Sequence, residues 1–195
     1  MAASTRSRIL EAARQCVAQV GLSRTTVRDV ARRAGLSRAT VYRCFPGGRD
    51  EVTGALVAEE HARFFEQLYH EVRTAPSLEE VLVRGLQLAH RAIEDHRLLQ
   101  RVLEAEPELL LPALTVRSAE TQRAIASFLR PHLVRHGLAP GVDVDEAADL
   151  LARMVLSYIA APGRWDLRDR GQTEQLVRGE LLAGVAGMAG GRGRR

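Results

Sequence analysis

Residues 25–45, TTVRDVARRAGLSRATVYRCF, constrain the fold more than any other stretch of the chain. A short helical pattern over residues 27–34 and a second over residues 38–44 are separated by Gly35, Leu36 and Ser37. Thr26 is placed to cap the first pattern, and Asp29, three residues on, completes a capping box with Asp in place of Glu. Val27, Val30, Ala31 and Ala34 recur at helical spacing and make the inward stripe. The small side chain of Ala31 lets a second helix cross closely. Gly35 supplies the left-handed backbone that ends the first helix, Leu36 turns into the core, and Ser37 caps the second helix. Val41 and Phe45 then share the inner face at i, i+4. Arg38, Ala39, Thr40, Tyr42 and Arg43 are left on or near the outer face. Two helices of this length and spacing form a helix-turn-helix, whose second helix is sized for the DNA major groove. Arg can read guanine edges, Ala and Thr can meet a thymine methyl, and Tyr can hold a phosphate.

This segment resembles the TetR family of bacterial transcriptional regulators. The resemblance covers the first fifty-odd residues and is carried by Thr26, by Ala34, Gly35, Leu36 and Ser37, by Thr40, Val41 and Tyr42, and by Phe45 and Arg49. Two departures stand out. Pro46, Gly47 and Gly48 make the link from Phe45 to Arg49 one residue longer than is usual, with Arg where Lys is commoner, and Cys44 stands where an aromatic or His is frequent. The resemblance implies an all-α protein, with an N-terminal three-helix DNA-binding domain at 1–48 and a helical ligand-binding and dimerisation domain at 49–189. It implies DNA contacts from Thr26, Arg28, Ser37, Arg38, Ala39, Thr40, Tyr42, Arg43 and Arg49. The function it implies is a ligand-responsive regulator, a repressor in the first instance. Such a protein binds a palindromic double-stranded operator as a homodimer.

Charge is divided to match. Residues 1–49 hold ten Arg against Glu11 and Asp29, a balance of +8, whereas residues 50–189 hold fifteen Arg against twenty-two acids, a balance of −7. A basic module on an acidic body suits a chain that docks one end onto phosphates. Arg6 and Arg8, ahead of the first apolar stripe, are expected to reach flanking backbone or minor groove. Nearly half the residues are apolar (46%), which excludes disorder and allows a substantial core. No apolar run has membrane-spanning length, and the start MAASTRSRIL lacks a signal-peptide apolar stretch, so a cytoplasmic protein without membrane attachment is expected. Cys16 and Cys44 form neither a metal-ligand cluster nor a disulfide framework.

Helical periodicity continues to the end. The patterns predict helices over 5–20, 49–73, 77–95, 96–104, 112–135, 143–161 and 172–188, with a disordered tail at 190–195. Gly21 is expected to stop the first, Ser77 with Glu80 to box the third, and Pro131 to kink or end the fifth. The helices at 143–161 and 172–188 are apolar over most of their circumference. Such a surface belongs in a deep core or an oligomer seam. The family resemblance assigns it to a dimer bundle, with Leu150, Leu151, Met154, Val155, Tyr158, Leu181, Leu182 and Val185 as candidate interface residues.

In such a protein the middle helices enclose an effector site. Candidate walls are Phe64, Phe65, Leu68, Tyr69, Leu86, His90, Leu103, Phe128 and Tyr158, each of which also suits plain core. They fit a largely apolar small molecule, with Arg84, Arg101 or Arg123 available to an acidic head group. His132 and His136 stand at i, i+4, a geometry open to a metal, but no zinc-type motif surrounds them and no cofactor is expected. Catalysis has no visible basis: there is no phosphate loop, nucleophile elbow or metalloprotease helix. Asp143, Asp145 and Glu146 read as helix-start residues. The alternatives to a regulator are a helical enzyme or a protein-binding adaptor in which the N-terminal fold is only structural.

Overall fold

The computed structural model describes residues 4–95 and 118–185. Within them the chain forms eight α-helices, one π-helical turn and no strand. The helices are α1 (Thr5–Val20), α2 (Val27–Ala34), α3 (Arg38–Cys44), α4 (Gly48–Val72), α5 (Leu78–Asp95), α6 (Ser118–His136), α7 (Val144–Ala160) and α8 (Arg170–Leu176), the last running on as the π-helical turn Val177–Leu182. The helix expected over 96–104, the expected start at Pro112 and the tail at 190–195 lie outside the described residues. The helices fall into two compact units. Among the described residues the first holds 4–67 with Glu94 and Asp95, and the second holds 68–93 and 118–185.

The first unit extends past residue 48 because α4 belongs to the same core as α1–α3. Ile9, Val41 and Phe45 are fully excluded from solvent, and Ala13, Cys16, Val17, Val30, Ala31, Val52 and Leu56 pack into the same cluster. Full burial of an Ile or Phe stabilises a fold by about 1.5–3 kcal/mol each. Ser4 caps α1 by accepting from the Ser7 N–H at 3.1 Å, and Gly21 closes it by donating to the Val17 carbonyl at 2.9 Å. Val20 is the one valine of α1 outside this cluster. It sits in the last turn and is 43% exposed.

In the second unit, Ser77 caps α5 by accepting from the Glu80 N–H at 3.2 Å, but the capping box is only half formed. The Glu80 carboxylate turns away to Arg84 (2.6 Å) and Arg170 (2.7 Å). Arg178 meets Glu79 at 2.7 Å, so two ion pairs join α5 to the last helix. Among the described residues, α6 and α7 form the most extensive helix pair. Ala147, Ala148 and Ala152 of α7 are fully buried, as is Leu133 of α6, with Leu129 3% exposed. Helix α6 continues through Pro131 instead of ending there. Pro131 and Ser127 are both exposed, so water can bond the Ser127 carbonyl that the missing N–H leaves free. Asp143 caps α7 by accepting from Asp145 and Glu146 N–H groups at 2.9 and 3.0 Å. Asp169 caps α8, which starts two residues before the expected Gln172. No helix among the described residues is long and apolar enough to cross a membrane.

Candidate nucleic-acid interface

Local bonds build the turn between α2 and α3. Thr26 Oγ1 accepts from the Asp29 N–H at 3.2 Å while its hydroxyl donates to the Asp29 carboxylate at 2.5 Å. The Thr26 hydroxyl is the largest of the influences that hold Asp29 below the usual carboxylate range, with Arg32 (3.1 Å) adding to it. Gly35 adopts φ +64°, ψ 37°. Its N–H bonds the Arg32 carbonyl (3.2 Å) and the Leu36 N–H bonds the Ala31 carbonyl (2.9 Å), the paired closure of a Schellman motif. Ser37 then caps α3, accepting from the Thr40 N–H at 3.0 Å. With Val41 and Phe45 turned inward, α3 leaves Arg38, Ala39, Tyr42 and Arg43 exposed. Arg38 and Arg43 have no hydrogen bond or ion pair among the described residues. Both acids of the basic segment are already paired, Asp29 with Arg32 and Glu11 with Arg14. The outer face of α3 is therefore a cationic surface without internal partners, which is what a phosphate backbone requires.

The other expected DNA contacts are placed less uniformly. Arg28 is exposed on α2, Thr26 and Ser37 are exposed but serve as caps, and Thr40 is half-buried with its hydroxyl 2.9 Å from Ser37 Oγ. Arg49 is exposed, but its guanidinium donates to the Leu22 carbonyl at 3.0 Å and so fastens the α1–α2 loop. Arg6 and Arg8 also differ from expectation. Arg8 donates to the Ala34 carbonyl at 2.8 Å, capping α2. Arg6 lies 4.3 Å over the Phe45 ring and donates to the Cys44 carbonyl at 3.5 Å. They hold the module together and do not form a free arm. Sequence reasoning missed Arg14, which is half-buried in α1 and meets Glu59 (3.2 Å) and Glu60 (2.7 Å) of α4. Nothing local marks its link to α4, because Glu59 and Glu60 lie some 45 residues away.

The candidate effector residues are scattered in environment. Leu68 and Leu86 are buried, and Phe64, Phe65, His90 and Phe128 are half-buried. Tyr69 is 59% exposed. Tyr158 donates to Glu180, which also accepts from the Trp165 indole at 3.1 Å. Leu103 and Arg101 lie outside the described residues. Arg84 is engaged with Glu80, and Arg123 donates to the Ala119 carbonyl at 3.1 Å. An open groove of about 370 Å³ lies in the first unit, lined by Arg8, Glu11, Arg14, Arg33, Glu59 and Arg63 together with Ala12 and Ala34, so charged and apolar surface share it. Burial, followed by the positive charges of His136 and Arg135, depresses the His132 pKa. No cluster of three or more metal-type ligands occurs among the described residues.

The dimer candidates divide sharply. Leu151 and Leu181 are fully buried and Val185 is 5% exposed within one chain, which leaves these three little surface to offer a partner. Leu150, Met154, Val155, Tyr158 and Leu182 remain half-buried. Met154 packs against Gly184, where a β-carbon would lie 3.3 Å from its sulfur.

An all-helical chain with this turn, and with a basic, unpartnered outer face on α3, is a DNA-binding protein of the helix-turn-helix class. Comparison with known proteins narrows the class. Residues 9–56 match the pattern of bacterial regulatory proteins of the tetR family. A helix-turn-helix-type transcriptional regulator of Mycobacterium tuberculosis is 30% identical over 160 residues, which span 80% of this chain and 81% of that one. The TetR family repressor AlkX from Dietzia sp., implicated in biodegradation of n-alkanes, is similar in structure. It has 26% identity and a TM-score of 0.64 over 94% of this chain and 97% of that one. SmeT in complex with triclosan is similar at 26% identity and a TM-score of 0.54, over 92% and 90% of the two chains. SmeT is the repressor of a Stenotrophomonas maltophilia multidrug efflux pump. The chain belongs to the TetR family of transcriptional regulators, and these relatives are regulators, not enzymes.

Proposed function

We propose that the protein is a cytoplasmic one-component repressor. It binds a roughly palindromic operator as a homodimer and is released by a small, largely apolar effector. The observation that carries this reading is the outer face of α3, where Arg38, Tyr42 and Arg43 stand exposed while Val41 and Phe45 are buried behind them. Two copies related by a twofold axis offer two recognition helices to half-sites about one DNA turn, roughly 34–36 Å, apart. The repressor reading is supported by AlkX and SmeT, and an apolar effector by the triclosan bound to SmeT. Release follows as a shift in population: the effector binds more tightly to a state in which α4 is tilted and the recognition helices no longer match both half-sites. Because Arg14 ties α1 to Glu59 and Glu60 on α4, a tilt of α4 moves the module with it.

The test is protection mapping of the DNA around the protein's own gene. The expected footprint is a single inverted repeat with that half-site spacing. Uniform weak binding to every fragment, with no protected repeat, contradicts the reading.

A further inference from the structure

The turn from α3 into α4 contains a contact that sequence spacing does not reveal. Gly48 is buried and adopts φ +64°, with its N–H donating to the Phe45 carbonyl at 2.9 Å. The neighbouring Gly47 N–H donates to Glu51 Oε2 at 2.8 Å, so the turn is fixed on both sides. The Tyr42 ring lies over Gly48. A β-carbon at position 48 would stand 3.0 Å from Tyr42 Cε1 and 3.8 Å from Cδ1 and Cζ. Carbon atoms in ordinary contact stay about 3.5–4.0 Å apart, so a β-carbon at 48 would press the edge of the ring out of its seat. Away from this seat Tyr42 is open, at 43% exposure.

We propose that Gly48 is a positioning residue for DNA binding. Its bare backbone seats the Tyr42 ring and so sets the direction in which the hydroxyl leaves α3 toward a phosphate. This inference rests on the reading of α3 as the DNA-contacting helix. A tyrosine on an open helix face samples several rotamers, and binding must freeze one of them. Seating the ring on Gly48 removes that freedom before DNA arrives. The backbone at 48 also needs a residue that tolerates positive φ, so a purely structural role has to be separated from a positioning one.

Gly48→Asn separates them, because Asn accepts left-handed backbone but carries a β-carbon that must displace the ring. The experiment is a double-mutant cycle of Gly48→Asn and Tyr42→Ala in the full chain, with affinity read on a random-sequence duplex and on a genomic fragment the parent protein retains. Melting temperatures are taken in parallel. The expected result is a loss of about 3–10-fold on both duplexes when Tyr42 is present, the range set by freeing one side chain, and no loss when it is absent. An equal loss in both backgrounds, or none with Tyr42 present, overturns the proposal. If Tyr42→Ala leaves affinity unchanged while the protein still binds DNA, the proposal fails and the regulator reading stands. If the parent protein binds no duplex, the regulator reading itself fails. A second measurement needs no change at Gly48 and does not depend on the asparagine variant folding. The Gly48 α-proton resonances are expected to be shifted by the Tyr42 ring current and to return to ordinary values in Tyr42→Leu, and unshifted resonances in the parent overturn the seat.

Discussion

Arg6 and Arg43 carry the same guanidinium and are both exposed, yet their surroundings give them different work. Arg6 has an aromatic face beneath it and the carbonyl end of α3 within reach, whereas Arg43 has no partner among the described residues. The difference can be measured. Arg43→Ala is expected to weaken DNA binding and to flatten the log–log salt slope by about 0.9 for each phosphate that its side chain neutralises, with little change in melting temperature. Arg6→Ala is expected to leave the slope unchanged and to lower stability by about 0.5–1 kcal/mol, the usual size of an exposed cation–π contact. Salt titrations and thermal melts of the two variants check this, and an exchange of the two outcomes would restore the arm role for Arg6. In the sequence alone both residues read as free cations, Arg43 on the recognition helix and Arg6 ahead of the first apolar stripe. Which of them meets a carbonyl depends on how α1 packs across α2 and α3, a relation that no local pattern encodes.

Elements are legible where their signals are local. The caps at Thr26, Ser37 and Asp143 and the left-handed Gly35 act on groups within a few residues, so composition and spacing are enough to place α2, α3 and the start of α7. The more distant of Glu80's two partners is not legible. A capping box predicts that its carboxylate turns back toward Ser77, but Arg170, ninety residues away, offers a charged donor and wins. The π-helical turn at Val177–Leu182 likewise has no composition signal, since one extra residue in a turn is set by what the helix packs against. The Glu80 arrangement carries a pH consequence. Hydrogen bonds from Arg170 and then Arg84 hold its pKa below the ordinary glutamate value of 4.5, so its contribution to stability is fully present above that value and is lost as pH falls through the lower folded-state pKa. Glu80→Gln is therefore expected to lower the melting temperature at pH 7 by about 1–4 °C, and the gap to the parent should close as the buffer is taken below pH 4.5. A gap that stays constant across that range would mean the carboxylate is not held by its charge.

For the whole molecule, the apolar breadth of residues 143–161 reads as a dimer seam, and burial within one chain separates that reading into two parts. Leu151 is protomer core, while Met154 keeps a half-buried face beside Gly184 and remains a candidate for the proposed interface. Periodicity cannot make the division, because a helix covered by its own chain on one side and by a partner on the other looks apolar all round. Leu151→Arg is expected to abolish cooperative folding, since an unpaired buried charge costs on the order of 3–5 kcal/mol. Met154→Arg is expected to give a folded monomer. Light scattering with circular dichroism distinguishes them, and a folded dimer from Met154→Arg would move the seam elsewhere.

The measurement that bears most directly on the regulator as a whole is a salt titration of the full chain against two duplexes of equal length, one carrying the protected repeat from its own upstream region and one of random sequence. Phosphate contacts from two basic modules should give both duplexes a steep salt dependence. Base contacts from α3 should hold the repeat more tightly than the random duplex by about 10³-fold or more. Equal affinity for the two duplexes at every salt concentration would contradict a sequence-specific regulator and leave only a basic helical protein that sticks to nucleic acid.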